Sequence, residues 1–514
     1  MPRSRPLGPV PARRPARLAR RAVAALVALA LALPLPPVLP GGAALAQNIQ
    51  LPDLGDESQA SSSPAIERRL GESVVKQIRA SGGYLDDPEV NEYLNELGHR
   101  IVAAGADTKQ DFEFFAVADP SINAFALPGG FVGVNMGLIL LTQSESELAS
   151  VLAHETAHVT QYHYSRSMVG QQRSLLYSLA ALAVAIAASR SGSSSSGQAA
   201  SAAVASAQAL AIQSQLNYTR EHEYEADRIG FQKLDAAGFD TTAMAMMMDR
   251  LQKSGRFADS SAPSYLRTHP ITYERIAEAQ ARAQSRPYRQ VPDSLDFHMV
   301  RGLLKSYAGT SKEAVAYFDE ALATRKYNSE VATRYGLVAA LLRDGNYARA
   351  KAELATLEKM APPHPMIAAI GAHLYMEAGD LPEAIARFEA ALPVYPNKMQ
   401  LVYDYPDALI RAKRPKDAAA FVDRQLVRFP TDGRLHQTAA KAYAALGKRT
   451  LEHRHQGEFY AWRGDLRGAV MQFELALKAG DGDFYTVSVV ESRLRTLRGE
   501  LAAQQRNSTR DGPG

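Results

Sequence analysis

The sequence predicts a mainly α-helical chain, in which an α+β domain with a small β element is followed by an α-solenoid of paired helices. Three observations lead to this fold class. Apolar residues recur at spacings of three and four from Ile66 onward, which is typical of amphipathic helices. A short β-branched segment follows the Pro-Gly-Gly turn at residues 128–130. After about residue 290, a unit of 34 residues repeats along the chain.

The composition limits both domain number and chemistry. With 514 residues, of which 46% are hydrophobic and 22% charged, the chain is typical of a globular protein with two or more domains. It has no cysteine, which excludes disulfides, thiolate metal sites, a cysteine nucleophile and a lipid-modified N-terminal cysteine. Any metal must therefore be held by His, Asp and Glu.

Residues 1–46 have the layout of a secretory signal peptide. They contain seven arginines, no acidic residue, and an apolar run from Ala22 to Leu33. This run has about twelve residues, whereas a membrane span needs about twenty, so we expect cleavage near Ala46/Gln47 rather than a retained anchor, and no stable transmembrane span in the exported chain. The remaining 51 basic and 54 acidic residues leave no basic surplus, so nucleic acid is not expected as a partner.

The next elements follow from local patterns. Residues 47–65 are rich in Ser, Asp, Gln and Pro, and predict a flexible leader. The first folded domain is placed at residues 66–290, where helical periodicity begins. Within it, residues 112–117 and 131–135 predict short strands, and residues 148–159 predict a buried helix.

Two alanine-rich stretches predict a helical hairpin with a polar tip. They cover residues 175–188 and 198–216, on either side of a Ser/Gly segment. The first has only fourteen residues, whereas about twenty are needed to cross a bilayer, so a helical hairpin is the better interpretation. The pattern leaves two roles open, namely simple core packing, or a lid or surface that contacts membrane or client.

The buried helix carries the sequence His154-Glu155-Thr156-Ala157-His158. Histidines four residues apart share one helix face, so both imidazoles can reach one Zn²⁺, and Glu155 can take a proton from a metal-bound water. This arrangement is typical of zincin-type metalloproteases. Because imidazole and carboxylate ligands make zinc the leading candidate, we expect one Zn²⁺ per chain.

A catalytic zinc needs a third protein ligand and an open position. The metzincin pattern does not supply it, because Gln161 and Tyr164 occupy the positions of its glycine and third histidine. His163 is one position off and would face another side of a continuous helix. We expect solvated or packing roles for His163 and His222.

A carboxylate further along the chain is the remaining source of a third ligand. Glu223 and Asp227 are four residues apart, so one could bind the metal while the other orients a ligand histidine. Spacing alone does not choose Glu223 over Glu221 or Glu225.

The two motifs together resemble peptidase family M48, whose hallmark is H-E-x-x-H followed by E-x-x-A-D on a later helix. The resemblance implies that His154, His158 and Glu223 bind zinc, and that Asp227 supports a ligand. It is also carried by residues 123–130, which are similar to the family's N-A-F-x-x-P-G-G signature. In the family this signature precedes the edge strand beside the cleft, where an extended substrate can pair with the backbone. The residues implied as this substrate-binding edge are Phe131, Val132, Gly133 and Val134.

One further histidine, in Thr268-His269-Pro270, has two possible roles. The family commonly has a His-Pro here, and in one branch this histidine is thought able to approach the zinc. As a fourth protein ligand, His269 would displace the water and act as a latency switch. Alternatively, it is a helix-entry residue positioned by Pro270.

The repeating unit is marked by turns at Gly345, Gly379 and Lys413, each 34 residues after the last. A 34-residue helix-turn-helix period with alanines at the helix crossings resembles the tetratricopeptide repeat. We place these repeats at residues 294–505, followed by a disordered tail at residues 506–514. Such arrays usually grip peptide segments or partner proteins.

The order of signal peptide, M48 domain and repeats is similar to that of a periplasmic branch of the family. The resemblance implies a zinc endopeptidase that acts on unfolded, misfolded or misassembled proteins, with outer-membrane proteins as the expected clients. Its repeats would dock these clients or the outer-membrane assembly machinery. The alternative function is a chaperone or scaffold whose repeats bind partners and whose zinc site is latent.

Overall fold

The computed structural model describes residues 63–105, 110–167, 219–256 and 263–510. Most of these residues are helical, one small sheet is present, and helix pairs follow it along the chain, which confirms the predicted fold class. The predicted signal peptide, most of the predicted leader and the predicted hairpin at 175–216 lie outside the described residues. Among the helices of the four described ranges, none is long and apolar enough to span a membrane.

Two capped amphipathic helices open the described chain. Helix α1 (Pro64–Ala80) begins two residues before the predicted start of the domain. Its N-cap is Ser63, whose side chain accepts a hydrogen bond from a backbone N–H of the first turn. Helix α2 (Pro88–Ala103) is capped in the same way by Asp87. Both helices have proline in the first turn, where the missing N–H costs nothing.

The sheet contains three strands, β1 (Glu113–Val117), β2 (Ala124–Leu127) and β3 (Phe131–Asn135). Their order is β1-β3-β2, with β1 parallel and β2 antiparallel to β3. The turn between β2 and β3 needs glycine at Gly130, because its φ is 89° and an added Cβ would lie 2.1 Å from the carbonyl oxygen of Asp111.

The predicted substrate-binding edge is wrong. Phe131, Val132, Gly133 and Val134 lie in β3, which is buried along its whole length and is paired on both sides. The parallel partner β1 is separated from β3 by an intervening strand in the sequence, so local patterns do not show that it covers this side. Among the described strands, β1 and β2 each pair only with β3, so these two are the edge strands of the sheet.

Six labelled helices, together with a short helical segment at residues 163–167, complete the described first part of the fold. They are α3 (Met136–Leu141), α4 (Glu145–Thr160), α5 (residues 219–236), α6 (Thr242–Arg256), α7 (Ser264–Thr268) and α8 (Tyr273–Gln284). Helix α4 is buried on nearly every side, which explains why residues 148–159 lack amphipathic patterning. Its N-cap is Ser144, whose side chain accepts a hydrogen bond from the N–H of Glu147.

Twelve helices form the repeat region of the described chain. They are α9 (Leu295–Tyr307), α10 (Ser311–Thr324), α11 (Glu330–Arg343), α12 (Tyr347–Met360), α13 (Pro365–Glu377), α14 (Leu381–Ala391), α15 (Met399–Arg411), α16 (Pro415–Arg428), α17 (Gly433–Ala445), α18 (Arg449–Trp462), α19 (Leu466–Ala479) and α20 (Phe484–Arg510). Because α20 is helical to Arg510, the predicted disorder from residue 506 is wrong for the described part of that tail. The domain limits at residues 290 and 294 stay predictions, although they fall between α8 and α9.

The 34-residue period reflects a repeated turn and a repeated close contact. Gly345 and Gly379 have positive φ at the turns, and Lys413 adopts the same left-handed conformation at the equivalent position. Buried alanines such as Ala384 and Ala418, 34 residues apart, let paired helices approach.

The repeats are joined to α2 by a buried charge cluster. Lys398, at the start of α15, lies 2.5 Å from Glu89 and 2.8 Å from Glu92, measured from Nζ to a carboxylate oxygen. The Lys398 and Glu89 side chains are only 11% and 6% exposed. Burial raises the pKa of Glu89 to about 8, even though Lys398 opposes the shift. One ammonium is therefore shared by two carboxyl groups, the buried Glu89 and the partly buried Glu92.

We expect Lys398→Met to lower the free energy of unfolding by about 3–5 kcal/mol, because it removes the cation that the buried Glu89 and the partly buried Glu92 share. The measurement is urea denaturation at pH 7. Adding Glu89→Gln to Lys398→Met should recover part of the loss, because glutamine is neutral in both states and removes the cost of protonating Glu89 when the chain folds at pH 7.

The control for this experiment is Lys441→Met. Lys441 pairs with Asp407 on the surface of the repeats and is 49% exposed, so we expect a change below about 1 kcal/mol. Equal effects of the two lysine substitutions would show that the junction with α2 contributes no more than a surface ion pair.

Candidate metal centre

Helix α4 directs both of its histidines toward one point. The Nε2 atoms of His154 and His158 lie 3.0 Å apart, as expected for residues four apart on one helix face. Glu155, between them, is fully buried, and neither of its carboxylate oxygens has a hydrogen-bond partner among the described residues. A buried carboxylate without a partner is costly, which is typical of a functional group awaiting a ligand.

Helix α5 brings Glu223 to the same point. One Glu223 oxygen lies 3.4 Å from His154 Nε2, and the other lies 3.4 Å from His158 Nε2. The close approach of α5 to α4 depends on Gly230, because an added Cβ would lie 3.1 Å from the backbone of residues 153 and 154. Of the two acids that spacing left open, Glu221 is exposed and Glu225 pairs with His163 and Arg166.

His269 completes the cluster from the segment between α7 and α8. Its Nδ1 atom lies 3.0 Å from Glu223 Oε1 and 3.4 Å from His154 Nε2. The ring stacks on Tyr265, with centroids 4.6 Å apart. Helix α8 begins at Tyr273, after its N-cap Thr272, so Pro270 does not start a helix and the helix-entry role of His269 is wrong.

The four donor atoms fit a zinc ion. In tetrahedral coordination with bonds of about 2.0–2.1 Å, neighbouring donor atoms lie about 3.3 Å apart. Five distances between these donors are given above. They join one nitrogen from each of the three imidazoles and the two oxygens of Glu223, and they range from 3.0 to 3.4 Å. All four donors also lie within 4.8 Å of one another. A compact set of imidazole and carboxylate donors is the kind that zinc prefers.

Asp227 supports the cluster from behind. Its Oδ1 atom lies 3.0 Å from His154 Nδ1, opposite the nitrogen that faces the other donors. Arg275 from α8 binds both Asp227 oxygens, at 2.6 and 2.8 Å, and also lies 2.8 Å from Glu223 Oε2. Burial opposes ionisation of Asp227, but the Arg275 guanidinium outweighs it and lowers the Asp227 pKa. Arg275 was not predicted from the sequence. The only indication of such a residue is that the two buried acids, Glu223 and Asp227, need a nearby cation.

The two α4 histidines have opposite electrostatic surroundings. Burial disfavours charge on His154, but the carboxylates of Asp227 and Glu223 outweigh it and raise its pKa to about 10. Burial lowers the pKa of His158 to about 3. A proton on His154 therefore balances the acids of the free cluster, and a bound metal cation would take over that positive charge.

His163 lies against the cluster, whereas its spacing had placed it on another side of a continuous helix. Its ring is buried, and its Nδ1 atom lies 2.8 Å from His158 Nδ1. It stacks on His222, which is also buried, with ring centroids 4.2 Å apart. Helix α4 ends at Thr160, and Tyr162 has a φ of 53°, so the chain turns and brings His163 back toward α4. A continuous helix would have carried it away, and no local sequence signal shows the turn.

A cavity of about 460 Å³ opens beside the cluster. Edge strand β2 forms one side of it through Phe125, Ala126 and Leu127, and Glu155 and His158 form another. An extended chain lying along β2 would therefore pass the candidate metal ligands.

Comparison with known proteins agrees with this geometry. Residues 88–283 match peptidase family M48, and residues 375–446 match a tetratricopeptide repeat family. The chain is 35% identical over 454 residues to the putative beta-barrel assembly-enhancing protease of Vibrio cholerae, covering 86% of this chain and 90% of that protein. It is 31% identical over 422 residues to the beta-barrel assembly-enhancing protease of Escherichia coli, covering 82% and 85%.

Among solved structures, a tetratricopeptide repeat protein from Parabacteroides merdae aligns with 49% of this chain and 98% of its own length, at 16% identity and a TM-score of 0.28. The family match and the two proteases determine the assignment. The chain belongs to peptidase family M48 and is a metalloendopeptidase whose peptidase domain is followed by tetratricopeptide repeats.

Proposed function

We propose that this protein is a periplasmic zinc endopeptidase that cleaves misfolded or misassembled outer-membrane proteins. The observation that carries the proposal is the set of four donor atoms at zinc-like spacing beside an edge strand. The names of the two proteases point to β-barrel assembly, and the signal-peptide layout of residues 1–46 points to export. The repeats are proposed to dock clients or the assembly machinery.

His154, His158 and Glu223 would hold one Zn²⁺. A zinc ion in such a site polarises the scissile carbonyl and lowers the pKa of water toward neutrality. Glu155 acts as the general base, taking a proton from the attacking water and returning it to the leaving amine. Its unpartnered, buried oxygens suit this role. Asp227, held by Arg275, keeps the His154 ring in place.

The substrate is proposed to bind as an added strand along β2. Residues of Ala124–Leu127 face the cavity beside Glu155, and β2 is the edge strand of the described sheet that lines this cavity. Backbone pairing with an edge strand accepts many side-chain sequences, which suits a protease that acts on unfolded segments.

His269 is proposed to hold the enzyme latent. It fills the fourth donor position, which a catalytic metal site leaves open for water or substrate. Its Nε2 atom also lies 3.6 Å from Glu155, so the ring covers the general base. Cleavage would require His269 to withdraw.

We expect Glu155→Gln to keep one zinc per chain and to lower casein cleavage by about 10²-fold or more, because the amide cannot take a proton. Zinc content and casein cleavage are measured on the same purified protein. The control is Glu320→Gln on the exposed face of α10, which should cleave like the unmodified protein. Normal cleavage by Glu155→Gln would refute the assigned mechanism.

We expect His269→Ala to cleave casein several-fold faster than the unmodified protein, because the fourth position becomes open while three protein ligands remain. Initial cleavage rates are compared at equal zinc content. His453→Ala, which removes a histidine that contacts Gln472 in the repeats, is the matched control. An unchanged or lower rate for His269→Ala would rule out the latency switch.

A further inference from the structure

His163 makes a contact with His158 that the proposed mechanism does not use. Their Nδ1 atoms are 2.8 Å apart, and the two rings are nearly perpendicular, at 75°. Two ring nitrogens at this distance must share one hydrogen, because two bare lone pairs or two N–H groups would repel each other. The contact therefore links the tautomers of the two rings.

The metal position determines which ring carries that hydrogen. His158 directs Nε2 toward His154 and Glu223, so a bound metal would take the Nε2 lone pair. A neutral imidazole then carries its hydrogen on Nδ1, which donates to Nδ1 of His163. His163 in turn carries its hydrogen on Nε2.

Glu225 accepts this second hydrogen. Its Oε2 atom lies 3.1 Å from His163 Nε2 and 2.8 Å from a guanidinium nitrogen of Arg166. Stacking on His222 holds the plane of the His163 ring. Three hydrogen bonds thus link these side chains. Arg166 and His163 both donate to Glu225, and His158 donates to His163.

We propose that His163 is a positioning residue that orients His158 for the metal through its Nδ1 atom, and that Glu225 and Arg166 fix His163 in the tautomer this requires. The inference rests on the proposed role of His158 as a metal ligand. His154 is supported by the Asp227 carboxylate, whereas His158 is supported by an imidazole. Partners of this kind typically change metal affinity by about 10–100-fold.

The test compares His163→Asn with His163→Gln. The side-chain oxygen of asparagine lies near the position of Nδ1, so it can still accept from His158. The glutamine amide extends to the position of Nε2, so it can reach Glu225 but not His158. Both substitutions are polar and similar in size, so a general packing defect would affect them alike.

The main readout is the zinc dissociation constant, measured by competition with a coloured chelator. We expect His163→Gln to bind zinc about 10–100-fold more weakly, and His163→Asn to stay close to the unmodified protein. The visible absorption of the cobalt-substituted protein should shift in His163→Gln alone. Equal zinc affinities of the two variants, or weaker binding by His163→Asn, would overturn the inference.

His158→Ala separates this inference from the proposed function. We expect it to lose high-affinity zinc binding altogether. If His158→Ala binds zinc normally, the proposed ligand set itself is wrong. If it loses zinc while His163→Asn and His163→Gln bind equally, only the positioning role of His163 fails.

Discussion

The buried ion pair between Asp227 and Arg275 is the contact on which the metal centre depends. It joins α5 to α8, and the same guanidinium also reaches Glu223, so one cation serves both a proposed ligand and the support of another. Losing one partner of a buried pair typically costs about 3–5 kcal/mol. Neither helix can shift alone without that loss, so protein contacts hold the donor atoms close together without any metal.

Local spacing was sufficient to predict the part of the site that lies on one helix. His154, Glu155 and His158 follow from a four-residue interval, and the structure brings His154 and His158 together with Glu223 and His269. The choice of Glu223 over its acidic neighbours followed only from the family resemblance. The structure supports it through the approach of α5 to α4 at Gly230, a packing detail that spacing cannot contain.

Two errors came from contacts that local patterns do not encode. The family resemblance implied that the residues of β3 form the substrate-binding edge, and nothing near them in the sequence shows that β1 pairs alongside in parallel. His163 read as facing away because a continuous helix was assumed, whereas Tyr162 adopts a left-handed conformation that is uncommon for a tyrosine. Strain of this kind is often found at functional sites, where the surrounding contacts compensate for it.

The charge cluster between α2 and Lys398 also limits how this architecture can evolve. A lysine on the array supplies the cation for two acids on the peptidase side, so the array is not an independent module. A transplanted array would carry a half-buried cation without its acids, and the peptidase left behind would carry two acids without their cation. The charges on the two sides of this junction therefore have to match, which makes the array and the peptidase part physically dependent on each other.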